Sequence, residues 1–431
     1  MGSEWKTVRL NEVATLRNGA GVKQQFFADN GIPLARVSDF TLDSIDISDC
    51  KYVEEAHAET WASHYIDVGD VLVSTVGSWP PNWSSVVGKV VRAPVNVSGA
   101  IQNQNTCCIL PNQAVLDNRY LFYRLKSEDF TWHTSNNAGG SANQARLPVK
   151  KLGEFQFLLP PLSVQRLIAN IFGALDDKIT LNNQINQTLE QMAQTLFKSW
   201  FVDFDPVKAK MNGEQPKGMD ATFLSKEVAS LFPEKLVESE LGLIPEGWEV
   251  CLLNQKSEIK YGKNLPKTKL LDEGYPVFGG NGVIGYYSSY LYEDEQVLVS
   301  CRGAASGKVL RSLPKSFITN NSLVIDLSNS VLNINYVEPY LKGCNLEEYT
   351  SGSAQPQMTV ANMAPVQILV PSEDILKSFD EVVKPLKSKI RANERQNLSL
   401  AALRDTLLPK LLSGEIDLEN LQVEQAKALA E

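Results

Sequence analysis

Histidine is nearly missing: the chain has three in 431 residues. No HExxH, GxSxG or GxxxxGK[ST] string occurs, which excludes the usual zinc-hydrolase, serine-hydrolase and phosphate-loop constellations. Cysteine is sparse too. Six stand at 50, 107, 108, 251, 301 and 344, none in a CxxC pair. That spacing argues against zinc sites and disulfide frameworks and for reduced, buried thiols. No apolar run reaches the ~18 residues that a membrane span needs. The start, MGSEWKTVRL, has no charged-then-apolar signal pattern, so a soluble cytoplasmic chain with no membrane partner is expected. A positive charge balance is also lacking. The formal net charge is −9, unlike a strongly basic nucleic-acid binder, although a local basic stripe can serve in an acidic chain.

Two strings imitate enzyme motifs. GNGVIG at 280–285 matches GxGxxG, but YYSSYLYEDEQ follows it, which is no amphipathic helix, and no βαβ unit surrounds it. Its glycines are better suited to tight turns. SWPPNW at 78–83 has two prolines and an Asn, but an amino-methyltransferase would place Asn or Asp ahead of the prolines. With no metal, cofactor or catalytic residues to assign, the sequence argues for a binding or scaffold protein and against an enzyme.

What the chain does have is an internal duplication, the first thing to seek at this length. ALDDKITLNNQINQTLEQ at 174–191 aligns with PLKSKIRANERQNLSLAA at 385–402 at an offset of 211, pairing Leu175 with Leu386, Asn182 with Asn393 and Leu189 with Leu400. Upstream, Gly140-Ser141-Ala142 pairs with Gly352-Ser353-Ala354, and Pro160 with Pro371. The domain starts pair at an offset of 243: Trp5, Leu10, Asn11 and Gly19 with Trp248, Leu253, Asn254 and Gly262. DVLVS at 70–74 resembles QVLVS at 296–300, and GKV occurs at 88–90 and 307–309.

Within each repeat, short β-branched runs separated by Gly, Asn, Ser and Pro predict strands and turns. The region 162–202 changes period. Ile168, Ile171, Leu175, Ile185, Leu189, Met192 and Leu196 form a heptad seam, echoed by Phe379, Val382, Leu386, Leu400, Leu403 and Leu407. Pro160-Pro161 and Ser163 mark a start and Pro206 a stop; Gly414 ends the second copy. Asn182 and Asn393 share one seam position, where a buried Asn fixes register. The expected fold class is α+β. Two β-rich domains are each followed by a long helix, and the helices pair as an antiparallel coiled coil with pseudo-twofold symmetry. The plainer alternative packs each helix on its own domain. Pro385, and Gly173 near the equivalent point, predict a bend or break in each helix. The expected divisions are 1–160, 161–203, 204–246, 247–371, 372–414 and 415–431. The third is a connector with one or two short helices, whose plainest role is a solvated linker, and the last is a charged, Ala-rich tail.

The domains also carry loops in which Arg, Lys, Asn, Gln and Ser stand beside glycine. Asn and Gln can bond adenine through N6 and N7, and Arg and Lys can bond guanine O6 and N7 or clamp phosphates. The candidates in the first repeat are Lys23, Gln24, Arg36, Ser78, Asn82, Gln102, Gln104, Asn143, Gln144 and Arg146. In the second they are Lys263, Lys267, Asn281, Arg302, Lys308, Asn320, Asn321, Ser353, Gln355 and Gln357. Plain turn chemistry is the competing reading of each.

LPPLSVQRLIANIFGALDDKITLNN at 159–183, LFKSWFVDFDPVKAKMNG at 196–213, ESELGLIPEGWEV at 238–250 and GGNGVIGYY at 279–287 together resemble one family. It is the specificity (S) subunit of type I restriction–modification enzymes. The resemblance implies that each β-rich half is a target-recognition domain reading one part of a split DNA sequence in the major groove. It implies two methyltransferase (M) subunits using S-adenosylmethionine and two motor–nuclease (R) subunits using ATP and Mg2+. The S subunit itself would be non-catalytic and bind no cofactor. Helices of about 38 residues would span roughly 57 Å, ample for half-sites one DNA turn, ~34–36 Å, apart. The second repeat has Arg302 before Gly303 where the family often carries Arg ahead of glycine; the first has Val76 before Gly77. The halves are therefore expected to read different sequences. Outside the family, the competing readings are a protein- or glycan-binding scaffold and a stand-alone adenine methyltransferase, the latter lacking its motifs.

Overall fold

The computed structural model describes residues 5–82, 85–141, 144–214, 225–352, 356–416 and 418. They fall into two compact units, the described residues of 1–182 with those of 395–431, and the described residues of 183–394. The two long helices, Leu162–Phe201 and Glu373–Leu412, each give one half to each unit.

In the first unit the VLVS run becomes Val71–Ser74, an inner strand of a four-stranded sheet between Thr106–Pro111 and Val90–Arg92; Ala14–Asn18 lies beyond Thr106–Pro111. Strand alternation sends its side chains to two cores. Val71 and Val73 join Cys107, Ile109 and Phe172 on one face, while Leu72 joins Val91 and Cys108 on the other. A strand buried on both faces has no polar alternation, which is why this run reads as continuously apolar. A second sheet orders Phe27–Ala28, Lys51–Val53, Ile32–Ala35 and Ile101–Gln102. Lys6–Arg9 pairs antiparallel with Gln156–Leu159, tying the start of the domain to its end just before the helix.

The second unit repeats the plan. Val297–Ser300 lies between Val309–Arg311 and Ser322–Asp326. Val297 and Val299 face one core and Leu298 the other. Glu249–Leu252 closes against Gln367–Val370.

The long helices pair antiparallel, and each unit shows it separately. In the first, Asp176 meets Arg404 at 3.0 Å, and Asn182 donates to Asn397 at 2.8 Å. In the second, Asn393 donates to Asn186 at 2.8 Å, and Lys387 to Glu190 at 2.6 Å; farther along, the rings of Phe201 and Phe379 lie 4.9 Å apart. Numbers rise on one helix as they fall on the other. Asn182 and Asn393 are buried, at 0% and 2% exposure, and Asn182 also donates to Gln396. The offset of 211 turns Asn182 into Asn393 and Asn186 into Asn397, so these amide bonds are two copies of one pair.

Several expectations need correction. Neither helix breaks at Gly173 or Pro385. At Gly173 the Arg119 side chain lies across the helix, its guanidinium carbon 2.1 Å from where a Cβ would stand, and it reaches over to bond Asp177. Pro385 lies on the exposed face, where water can take the carbonyl it leaves unbonded. Pro206 does not stop the helix. The helix ends at Phe201, Phe204 adopts φ 55°, and Pro206 opens the next short helix, Asp205–Met211, where a first-turn proline costs nothing. Leu403 is exposed, and the neighbouring Arg404 is half-buried through its bond to Asp176. Among its described residues the connector has two short helices, the second being Lys226–Leu231, but it is more than a solvated linker. It adds a hairpin, Leu236–Ser239 with Gly242–Pro245, and buries Phe232 against Trp200, ring centroids 5.1 Å apart. Of the tail, Leu418 alone belongs to the described residues beyond Ile416.

Candidate nucleic-acid interface

Both units gather their glycine-flanked loops at one end of the inner sheet. In the first, the strand Ala14–Asn18 runs into Gly19-Ala20. The Ala20 N–H donates to the Gln102 carbonyl at 2.7 Å, and the Gln104 N–H returns to the Ala20 carbonyl at 2.9 Å. Thr75 N–H donates to Asn105 at 2.8 Å, and Leu147 N–H to Thr75 at 2.8 Å. In the second, Lys263 N–H donates to Ile318 at 2.9 Å, Asn320 N–H to Lys263 at 3.1 Å, and Cys301 N–H to Asn321 at 3.0 Å. These are the same backbone connections carried over by the repeat. They also explain the paired glycines. A Cβ at Gly19 would sit 1.9 Å from the Asn103 carbonyl oxygen, and one at Gly262 would sit 2.3 Å from that of Thr319. Only a residue without Cβ permits this approach.

Beside these loops each unit carries a narrow ribbon. In the first, Gly139–Ser141, Gln144–Arg146 and Val76–Gly77 form a three-stranded sheet, in which Arg146 lies opposite Gly139 on one side and Val76 on the other. In the second, Gln357 lies opposite Ser351 and Arg302. Trp79 ties the first ribbon down, its indole N–H donating to the Ser141 carbonyl at 2.9 Å.

The expected contact residues separate by exposure and by what already holds them. Lys23 and Gln24, entering a short turn, are exposed, as are Gln104, Gln144 and Arg146. Arg146 leans on the Gln144 amide oxygen at 3.4 Å. Asn82 is exposed, and Ser78 is half-buried, its hydroxyl donating to the Asn82 carbonyl at 2.9 Å. Arg36 is half-buried: its N–H donates to the Asp39 carboxylate at 2.8 Å and its guanidinium at 3.3 Å. Gln102 is not at the surface. It is fully buried, donating to the carbonyls of Arg17 and Thr106 and accepting from the Arg17 guanidinium at 3.1 Å. The amide groups of Gln102 are therefore taken up inside the domain, as fits a structural residue.

In the second unit Lys263, Lys267, Asn281, Arg302, Lys308 and Gln357 are exposed, and Asn320 and Asn321 are half-buried. Lys308 donates to the Asn281 amide oxygen at 2.6 Å, joining the hairpin tip to the inner sheet. Asn143, Ser353 and Gln355 lie outside the described residues.

The sequence reading of the loops passed over the apolar part of this face. GNGVIG forms the turn of a hairpin, Tyr275–Gly279 with Gly282–Tyr287, and Val283, Ile284 and Tyr286 on it are 47%, 44% and 39% exposed. Exposed aliphatics beside Asn281 and Lys308 suit the methyl group of a thymine as the polar groups suit base edges. Hydropathy alone could not flag them, because the same residues one register off would be core. Below Arg302, burial pushes the Cys301 thiol up, with the Arg302 charge opposing it, so the thiol stays neutral under the loop. No helix among the described residues is long and apolar enough to cross a membrane.

Residues 2–191 and 245–400 match the family described as the type I restriction modification DNA specificity domain. The chain is 28% identical over 413 residues to the Type I restriction enzyme HindI specificity subunit of Haemophilus influenzae, covering 82% of this chain and 88% of that one. It is 27% identical over 361 residues to the MjaIX specificity subunit of Methanocaldococcus jannaschii, covering 77% of each. The crystal structure of a type I restriction–modification S subunit from M. genitalium resembles it with a TM-score of 0.56 at 15% identity, covering 95% of this chain and 96% of that one.

Proposed function

The chain belongs to the type I restriction–modification DNA specificity family, and from that premise we propose that it recognises a two-part DNA target, each β-rich domain reading one part. The observation that carries this is the duplicated loop end. In each unit the same backbone bonds, Gln104 to Ala20 and Asn320 to Lys263, join loops that carry exposed amide, guanidinium and ammonium side chains. Such side chains read base edges and clamp phosphates, and a ribbon fits the major groove. The loops differ in detail, with Gly280-Asn281 in the second domain where an offset of 243 puts Val37-Ser38 in the first, so the two parts of the target differ as well.

The chain contributes recognition; chemistry belongs to partners. Two methyltransferase subunits using S-adenosylmethionine dock on the helical frame, and two motor–nuclease subunits using ATP and Mg2+ complete the complex. Repeated grooves support two docking positions. One of about 830 Å3 is lined by Lys126, Leu408 and Ser413, and another of about 440 Å3 by Lys342, Phe197 and Val202. These residues are equivalent in the repeat. The antiparallel helices set the spacing of the two parts.

Purified with its methyltransferase partner, the chain should select one bipartite sequence from unrelated duplexes, with affinity falling steeply as salt rises. Equal affinity for all duplexes at physiological salt would contradict the reading. Stable partner binding without salt-sensitive DNA affinity would point instead to a pure interaction scaffold.

A further inference from the structure

The two ribbons can be compared row by row. The end row that crosses the first ribbon is Gly139, Arg146, Val76; its counterpart in the second unit is Ser351, Gln357, Arg302. Three sequence offsets equate them in that order. The offset of 212 that pairs Gly140-Ser141 with Gly352-Ser353 takes Gly139 to Ser351, 211 takes Arg146 to Gln357, and the 226 of the VLVS runs takes Val76 to Arg302. Each unit thus has one arginine in this row, but on different strands. In the second unit it stands in the segment just after the VLVS run; in the first, that place is Val76 and the arginine has moved to the facing strand. Residues directly opposite in an antiparallel pair share a face, with Cβ atoms about 4.5–5.5 Å apart. A side chain as long as arginine spans that gap, so either strand can deliver the guanidinium to the same region. Arg146 and Arg302 are both exposed.

We propose that Arg146 is the specificity-determining counterpart of Arg302, and that each guanidinium contacts a guanine edge in its own part of the DNA target. This rests on the DNA-reading assignment above. Guanine is favoured over phosphate by position. In each unit the arginine is exposed in a row that pairs three segments of the chain, and a ribbon of this width fits the major groove. There a guanidinium makes two parallel bonds to O6 and N7. An amide accompanies it in both units, Gln144 two residues along the same strand and Gln357 directly across.

The test uses the full chain with its methyltransferase partner and a randomised pool of duplexes, sequencing those that bind. The natural chain should yield a motif in two parts. Arg146→Gln should lower discrimination at one base pair of one part by on the order of tenfold, leaving the other part unchanged; Arg302→Gln should do the converse. The double change V76R with R146Q, which gives the first ribbon the arrangement of the second, should restore the guanine preference. Circular dichroism confirms that each variant folds. Unchanged preferences in R146Q, or uniform weakening across all duplexes with a shallower salt dependence, would overturn the proposal, the latter marking a phosphate clamp. A natural chain that yields no two-part motif would instead overturn the DNA-reading assignment itself.

Discussion

Glycine 262 lets the backbone of one loop lie on the Thr319 carbonyl, and an added Cβ would meet it at 2.3 Å. Gly262→Ala should therefore cost about 2 kcal/mol or more and lower the melting temperature of the second unit. Gly343→Ala is the control. It ends a helix with nothing within 4 Å of its Cβ, and should be neutral or slightly stabilising. Glu338 offers a second test. Burial works to raise its carboxyl, but the charges of Arg311, 2.6 Å away, and Lys342 outweigh burial and hold it below the ordinary 4.5. A lowered folded value means that this carboxylate stabilises fully above about pH 4.5 and loses its contribution as pH falls through the folded value. Glu338→Gln should thus lose stability at about pH 7, and the difference in urea midpoint between about pH 7 and about pH 3.5 should shrink. The repeat alignment singled out Gly19 and Gly262 in the sequence. Their purpose was not legible there, because the carbonyls they approach, of Asn103 and Thr319, stand more than fifty residues away in the chain.

The long helices were legible as elements, because a seam of apolar steps of three and four is a local signal. The same local reading predicts an interruption in each, yet neither helix breaks. Gly173 answers to Arg119 from another helix, and Pro385 is harmless because that face is exposed. The two amide pairs, Asn182 with Asn397 and Asn393 with Asn186, place polar groups where a coiled coil would otherwise bury apolar ones. Replacing Asn182 and Asn393 together by Leu should raise the melting temperature, since a buried Asn costs stability, but loosen register. Selection from duplexes with varied spacers would then return a broader distribution than the natural chain gives. A sharp, unchanged spacer with no gain in stability would remove these residues from the register role.

Over the whole molecule, the duplication is what gives one polypeptide two readers. If paired helices set the spacing, seven residues inserted in each, which keeps the heptad phase, should lengthen the frame by ~10 Å. The preferred spacer should then grow by about three base pairs while both parts of the target stay the same. Selection from duplexes with varied spacers measures this directly, and an unmoved spacer would contradict a spacing role for the helices.

By itself the sequence determined the two-fold repetition, the β-rich domains, the helical seam and the asparagine shared by both copies of it, since each is written in local period and composition. Tertiary structure alone decided which loops share a face. Gln102 looks like its neighbour Gln104, but the Arg17 guanidinium and two carbonyls hold it inside the domain. Arg146 and Arg302 occupy unrelated places in the alignment and equivalent rows in the ribbons. Strand pairing brings together residues that chain order keeps apart, and no one-dimensional spacing encodes which partner a strand will find.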